Sequence, residues 1–438
     1  MNKETPDCIP SFIEMNVPNE KLSLYTGEFI LKSGEEVYEI DGSVYYKWLP
    51  NQQACFEGTI LNADLKTFFR LNELNTFSLF INKVQVGEVD LSKIEAKSSL
   101  IINGEFTSWA YFGEKKRDYD KVSFQISNLL PFNGQSIKND TECFLGRITL
   151  TNQQFEVTID KKNYKETFET LKKEGGHILT HSGQIVFHQK NTNENVFQNA
   201  INAIRVFLSF CNGRRIGLNH YCFTGEYSPE KTFIGMFSGD MYKSVLNIFP
   251  HLNYGNQLET FWPLFYQKWI ESEHFLNSII HWYLEANYHS AMTEGAITLS
   301  QIGLESMANH VLNQDKLSKK QIKGLSAADK VRYVLSKYSI NTLIPEELSS
   351  LRNYFNNLEE NDIKDSIDLI INFRNCIVHE NPRKLASFIN ISNDTKFECL
   401  QLSLWFLEIT ILKYLGYQGP YTNRLKSGGF EKEMIENT

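Results

Sequence analysis

The sequence predicts an α+β chain of several domains: an N-terminal antiparallel β-sandwich-like domain followed by a C-terminal all-α helical bundle. Three observations predict it. Short runs rich in β-branched and aromatic residues, bounded by Gly, Asn or Ser, fill the first part of the chain. Around Asn195 the apolar spacing changes from strand-like to helical. From about Leu258 onward helical patterns dominate. At 438 residues, with about 150 residues per domain as a guide, two or three domains are expected. Their bounds are a β-rich sensing or regulatory domain over 1–194, a helical and irregular connecting segment over 195–256, a helical domain over 257–425 and a polar tail over 426–438.

The expected strands include Leu24 to Leu31, Ser43 to Leu49, Ala54 to Leu61, Thr76 to Ile81, Lys121 to Ser127, Phe155 to Ile159 and Gln184 to Gln189. Within this region His177, His181 and His188 invite a metal reading, because the first two would share one face of a strand. No carboxylate or cysteine joins them, and structural zinc takes four ligands. They are therefore expected as ordinary surface or turn histidines, and no metal is assigned. The mixed-sign run Glu114 to Asp118 reads as a solvated turn.

Asn195 to Cys211 reads as a helix through Val196, Ala200, Ala203, Ile204, Phe207 and Leu208. The glycines at 213, 217, 225, 235 and 239 then punctuate an irregular segment that matches neither a phosphate loop nor a dinucleotide fingerprint. Pro263 suits the first turn of the next helix, whose Phe265, Trp269, Phe275 and Trp282 are expected in the core rather than stacked on bases. Thr293 to Asn313 and Asp394 to Gly416 complete the long helices.

Asn361 to Pro382 reads as one amphipathic helix with an anomaly. Ile363, Ile367, Ile370, Ile371, Ile377 and Val378 form a stripe, and Arg374 projects into its middle. A guanidinium there requires an anion, a carboxylate or a subunit interface. Asn375 and His379, four residues apart, lie at the stripe's edge. The plain structural reading is a salt-bridged arginine and a histidine favoured by the helix C-terminus. Glu305, at the border of an apolar helix face, could hold Arg374 or be solvated.

The formal charge of -8 argues against a chain-wide basic surface, so any nucleic-acid contact must be local. One basic patch exists: Lys316, Lys319, Lys320, Lys323, Lys330, Arg332 and Lys337 stand against Asp315 and Asp329. It is either a solvated surface balanced by the acidic stretch Glu346 to Asp368, or a phosphate track leading to His379 and extended by Arg383 and Lys384. Seven scattered cysteines without a C-x-x-C pair suit a reducing, cytoplasmic compartment. Neither a signal core nor a membrane span is expected.

The spacing Arg374-Asn375-x-x-x-His379, in a helix followed by a further long helix, resembles the signature of the HEPN superfamily. The layout of a β-rich domain ahead of it is similar to the ApeA-like anti-phage group. The resemblance implies a metal-independent endoribonuclease without a cofactor, in which His379 is general acid or base, Arg374 steadies the phosphorane and Asn375 orients either group. It further implies an RNA substrate, tRNA included, a homodimer or larger even-numbered assembly, a phage-derived trigger and a role in abortive infection. Two other readings stay open: a non-catalytic HEPN-like dimerisation or RNA-binding protein, and a β-sandwich ligand binder with a helical oligomerisation tail.

Overall fold

A computed structural model describes residues 4–74, 76–96, 99–112, 120–162, 165–189, 194–225, 228–234, 239–249, 255–288, 292–358, 363–379, 382–426 and 432–434. The run from Glu114 to Asp118 lies outside them. The chain divides into two compact units, Met1–Arg205 with Ile216–Ser244, and Val206–Arg215 with Val245–Thr438. Residues 195–256, expected to connect two domains, are thus shared between the units.

In the first unit β1 (Leu22–Ser33), β2 (Glu36–Lys47), β3 (Gln53–Ile60), β4 (Thr76–Ile81), β5 (Val84–Ala96) and β6 (Leu100–Phe106) close into a barrel. Helix α1 (Leu65–Glu73) lies between β3 and β4, begun by a capping box in which Asp64 accepts from the Thr67 amide. Alternation supplies the inward face, as in β6, where every second residue from Leu100 to Phe106 is buried. A sandwich needs the same alternation, so the expected sandwich is corrected by features that the pattern does not encode. β1 pairs with both β2 and β4, which removes the edge. Gly27, Gly42 and Gly58 are cross-strand partners in one row. A Cβ on Gly42 would lie 2.1 Å from the Glu57 carbonyl oxygen, so this row allows the strands to coil tightly enough to close.

The same unit contains an eight-stranded sheet in the order β7-β14-β13-β8-β12-β11-β10-β9. Its strands are β7 (Ala110–Phe112), β8 (Lys121–Ser127), β9 (Gln135–Lys138), β10 (Cys143–Thr151), β11 (Phe155–Lys161), β12 (Leu179–Phe187), β13 (Gly217–Gly225) and β14 (Ser228–Ile234). Helix α2 (Lys165–Glu174) precedes β12, and α3 (Glu194–Asn212) precedes β13. The stretch expected to be irregular therefore supplies two strands, with Gly217 and Gly225 at the ends of β13. One face of the sheet is apolar: Phe124, Ile148, Ile159, Ile185 and Tyr221 are fully buried, and Phe197 of α3 meets Tyr221 edge-on at 5.4 Å.

The second unit contains α4 (Gly255–Tyr288), α5 (Met292–Gln314), α6 (Lys319–Gly324), α7 (Ala327–Lys337), α8 (Ser349–Asn356), α9 (Ser366–Val378), α10 (Pro382–Ile389) and α11 (Asn393–Tyr414). Because α4 begins at Gly255, Pro263 falls inside it rather than in its first turn, and the helical dihedrals break at Ser272. α5 packs against α4, α7, α9 and α11. Small residues bring α5 and α11 together: the Ser300 and Ser403 hydroxyls are 2.7 Å apart, and a Cβ on Gly303 would meet Leu407 at 2.8 Å. Phe265 and Trp269 are core, whereas Phe275 and Trp282 are half-buried. Beyond α11, β15 (Pro420–Thr422) pairs with β16 (Lys432–Met434), so part of the expected polar tail is a strand. No helix among the described residues is long and apolar enough to cross a membrane.

Candidate functional site

α9 starts where Asp365 accepts hydrogen bonds from the amides of Ile367 (3.1 Å) and Asp368 (2.9 Å). Arg332 of α7 grips Asp365 through two bonds of 2.7 and 3.0 Å and lies 2.6 Å from Asp368. Burial pushes the Asp365 carboxyl up, but Arg332 and the helix amides outweigh it and hold it below its ordinary value. These carboxylates raise Arg332 above its own. The sequence carried a signal for this start, an aspartate ahead of an apolar run, that the reading of one helix from Asn361 passed over.

The helix ends at Val378. His379 is its cap in extended conformation, its amide donating to the Asn375 carbonyl at 3.1 Å. Pro382 then opens α10, and residues preceding a proline disfavour helix. The expected helix from Asn361 to Pro382 is therefore shorter, Ser366–Val378, with Pro382 opening the next one; Asn361 lies outside the described residues. The buried face also differs from the isoleucine stripe: it comprises Ile367, Leu369, Ile370, Phe373 and Cys376, roughly a quarter turn round the axis. Phe373 draws the helix that way by packing edge-on against Tyr354 (5.7 Å) and Phe388 (5.5 Å). Arg374 is consequently half-buried at the border, and Val378, at 47% exposed, is not core.

Arg374, Asn375 and His379 do come together. Arg374 Nη1 donates to Asn375 Oδ1 at 3.0 Å and lies 3.4 Å from His379 Nε2. Because a guanidinium only donates, that second contact selects the tautomer with the proton on Nδ1. His379 is exposed and Asn375 half-buried. Among the described residues Arg374 makes no ion pair. Glu305, expected as its partner, faces Lys330 instead at 3.9 Å.

The basic segment divides by pairing. Arg332 is held as described, and Lys337 pairs with Asp315 at 2.6 Å. Lys316, Lys319, Lys320 and Lys323 are exposed and make no ion pair among the described residues, the last three on α6. Arg383 and Lys384 lie on α10, their side chains outside what is described.

The histidines expected at the surface of the β-rich region are placed differently. His177 and His181 are 1% exposed, whereas His188 is exposed. The cause is packing against aromatic rings: His177, just ahead of β12, stacks on Trp48 at 5.6 Å, and His181, within β12, stacks on Phe132 at 4.9 Å. No group of three or more histidines, cysteines or carboxylates that could hold a metal occurs among the described residues.

Sequence reasoning missed a buried network in the helical unit. Arg424, 9% exposed, binds Glu408, Gln401 and Asn287, and Glu408 also accepts from Tyr283 at 2.8 Å. Glu408 sits within the apolar heptad of α11, where a lone glutamate signals a buried partner.

Comparison with known proteins matches residues 270–436 to the YopA C-terminal domain and residues 114–233 to the YopA central domain. The first match contains Arg374, Asn375 and His379. No solved structure matches the chain. The SPbeta prophage-derived uncharacterized protein YopA of Bacillus subtilis (strain 168) is 29% identical over 447 residues, covering 95% of this chain and 94% of its own, so the chain is similar to YopA over nearly its whole length.

Proposed function

We propose that the chain is a metal-independent HEPN-type endoribonuclease acting through Arg374, Asn375 and His379. One observation carries this reading: a guanidinium without a carboxylate partner among the described residues stands beside an amide and an exposed imidazole at one helix end. Such an arginine presents the N–H groups that a phosphodiester accepts. A phosphate drawing Arg374 away from His379 Nε2 leaves that nitrogen free to take the 2′-hydroxyl proton or, once protonated, to give one to the leaving 5′-oxygen. Arg374 then faces the charge that develops on the phosphorane. The cleavage leaves a 2′,3′-cyclic phosphate and persists in chelator.

One histidine serves one proton transfer and the reaction has two, so a second copy of the chain supplies the other. Exposed apolar residues support a homodimer: Val378 (47%) of the stripe and, on α10, Leu385 (45%) and Ile389 (64%) lie close in sequence to the motif. The lysines at 316, 319, 320 and 323, which make no ion pair among the described residues, suit RNA phosphates. A sensing role for the β-rich unit and a part in phage conflict rest on the resemblance and on a relative described as prophage-derived.

The test is cleavage of single-stranded RNA by the purified chain beside His379→Ala. Loss of activity in a folded variant supports the reading, and undiminished cleavage removes it. A second reading, a non-catalytic dimerisation or RNA-binding module, is favoured by the way Arg374 and Asn375 already satisfy one another. RNA binding without cleavage by the unmodified protein selects it.

A further inference from the structure

Opposite its apolar face, the eight-stranded sheet carries a row of polar residues in cross-strand register. Arg147 pairs with Asp160, Asp160 with Ser182, Ser182 with Gln125 and Gln125 with His220, so all five share one face. Asp160, Ser182, Gln125 and His220 are at most 3% exposed. Burying such groups is costly unless they are bonded. What covers one end of the row is the chain's own N-terminal arm.

The arm reaches the sheet at β9, its edge strand. Asp7 forms a parallel bridge with Lys138, the Cys8 amide donating to the Lys138 carbonyl at 2.9 Å and the Lys138 amide to the Pro6 carbonyl at 3.0 Å. Main-chain pairing of an extended segment with a sheet edge is how many peptides are recognised. The arm then crosses the polar row. Arg147 donates to the Asp7 carbonyl at 2.8 Å, and the Ile9 amide donates to Asp160 at 2.7 Å. The Ser11 hydroxyl lies 2.9 Å from the Gln125 amide nitrogen. The Lys162 ammonium donates to Ser11 at 2.6 Å and to the Glu14 carboxylate at 3.3 Å. Backbone groups, the Ser11 hydroxyl and the carboxylates of Glu14 and, 3.8 Å from Lys138, Asp7 thus carry the arm's attachment, while Met15 enters the core and Ile13 packs against it. The groove reads an extended backbone with an acidic group opposite Lys162.

We propose that the β9 edge and the adjoining polar row form a peptide-docking groove, which the chain fills with residues 6–15 and from which an extended acidic peptide of a partner displaces them. The groove lies wholly within the first unit, so this inference stands whether or not the chain cleaves RNA. A tethered occupant competes at an effective concentration of roughly millimolar, which keeps the groove closed until a partner peptide binds better or the arm is weakened.

The test uses the full chain and a fluorescent peptide copying residues 6–15. Ile9→Pro with Ser11→Ala removes the amide that Asp160 accepts and the hydroxyl beside Gln125. Peptide affinity is expected to rise about tenfold or more over the unmodified chain, and to fall back when Lys162→Met is added. A peptide with the glutamate replaced by lysine leaves the protein untouched and is expected not to bind. Should the weakened arm give no tighter binding while circular dichroism stays unchanged, or should the charge-reversed peptide bind equally well, the groove is simply the arm's permanent seat and the proposal fails.

Discussion

His220 in the β-rich unit and His379 in the helical unit meet opposite surroundings. His220 is 0% exposed, with Tyr46 at 4.9 Å and Trp48 at 6.1 Å between ring centroids, and neither of its ring nitrogens has a hydrogen-bond partner among the described residues. Burial, with the Lys162 charge, pushes its pKa down to about 3, so the ring stays neutral. His379 is exposed, contacts a guanidinium and ends a helix. A histidine works as an acid or base only if protons and substrate reach it. Access and a neighbouring charge separate the two, whereas the number of histidines in a cluster misleads.

The largest expected effect breaks the comparison from the helical side. His379→Ala is expected to lower RNA cleavage by about 10²–10⁴-fold, while His220→Phe leaves it within a few-fold in a folded protein. Cleavage assays on both variants decide this, and a large loss from His220→Phe alone would reverse the assignment.

Two arginines of the helical unit extend the contrast to stability. Arg424→Ala strands the buried Glu408 and is expected to cost about 3–5 kcal/mol in urea denaturation. Among the described residues Arg374→Ala removes hydrogen-bonding contacts only to Asn375 and an exposed histidine, so about 0.5 kcal/mol is expected. Equal losses would mean that Arg374 is a structural residue.

The buried histidines make the β-rich unit acid-sensitive. An unfolded histidine titrates near 6.5 and His220 titrates near 3 when folded, so between these values the unfolded chain binds the extra proton. The stability of the neutral form is intact above about pH 6.5 and lost as pH falls toward 3, at about 1.4 kcal/mol per pH unit. His181, also pushed well below its ordinary value by burial and the nearby Lys161 and Lys162 charges, adds in the same direction. Denaturation of His220→Phe between pH 6.5 and 5 is expected to show a shallower slope, and an unchanged slope removes His220 as its cause.

Much of this was legible where one local rule governs. β4 and β8 fall at the expected residues, because alternation and bounding turn residues specify a strand. The motif was legible because Arg374, Asn375 and His379 lie within about one helical turn. Closure of the barrel was not, since it depends on glycines that meet only across strands. Nor was the burial of His177 and His181: it comes from Trp48 and Phe132, distant in sequence. The isoleucine stripe gave the wrong buried face, because Phe373 finds two aromatic partners in the core and Ile371 and Val378 do not.

The smallest expected effect concerns the exposed lysines, where charge alone decides between a solvated surface and an RNA track. Arg332 and Lys337 are tied to carboxylates, so a phosphate must compete for them. Lys316, Lys319, Lys320 and Lys323 have no such tie among the described residues. If all four meet RNA phosphates, each contact releases counterions, and log affinity falls with log salt by about 0.7 per contact on a single strand. Replacing the four by glutamine is then expected to flatten that slope by about 2.8, lowering affinity for every RNA sequence alike and leaving the cleavage position unchanged. His379→Ala does the opposite, removing cleavage while keeping the slope. An unaltered slope in the glutamine series would leave these lysines as solvated surface, and the path of RNA to Arg374 would have to run over another face of the helical unit.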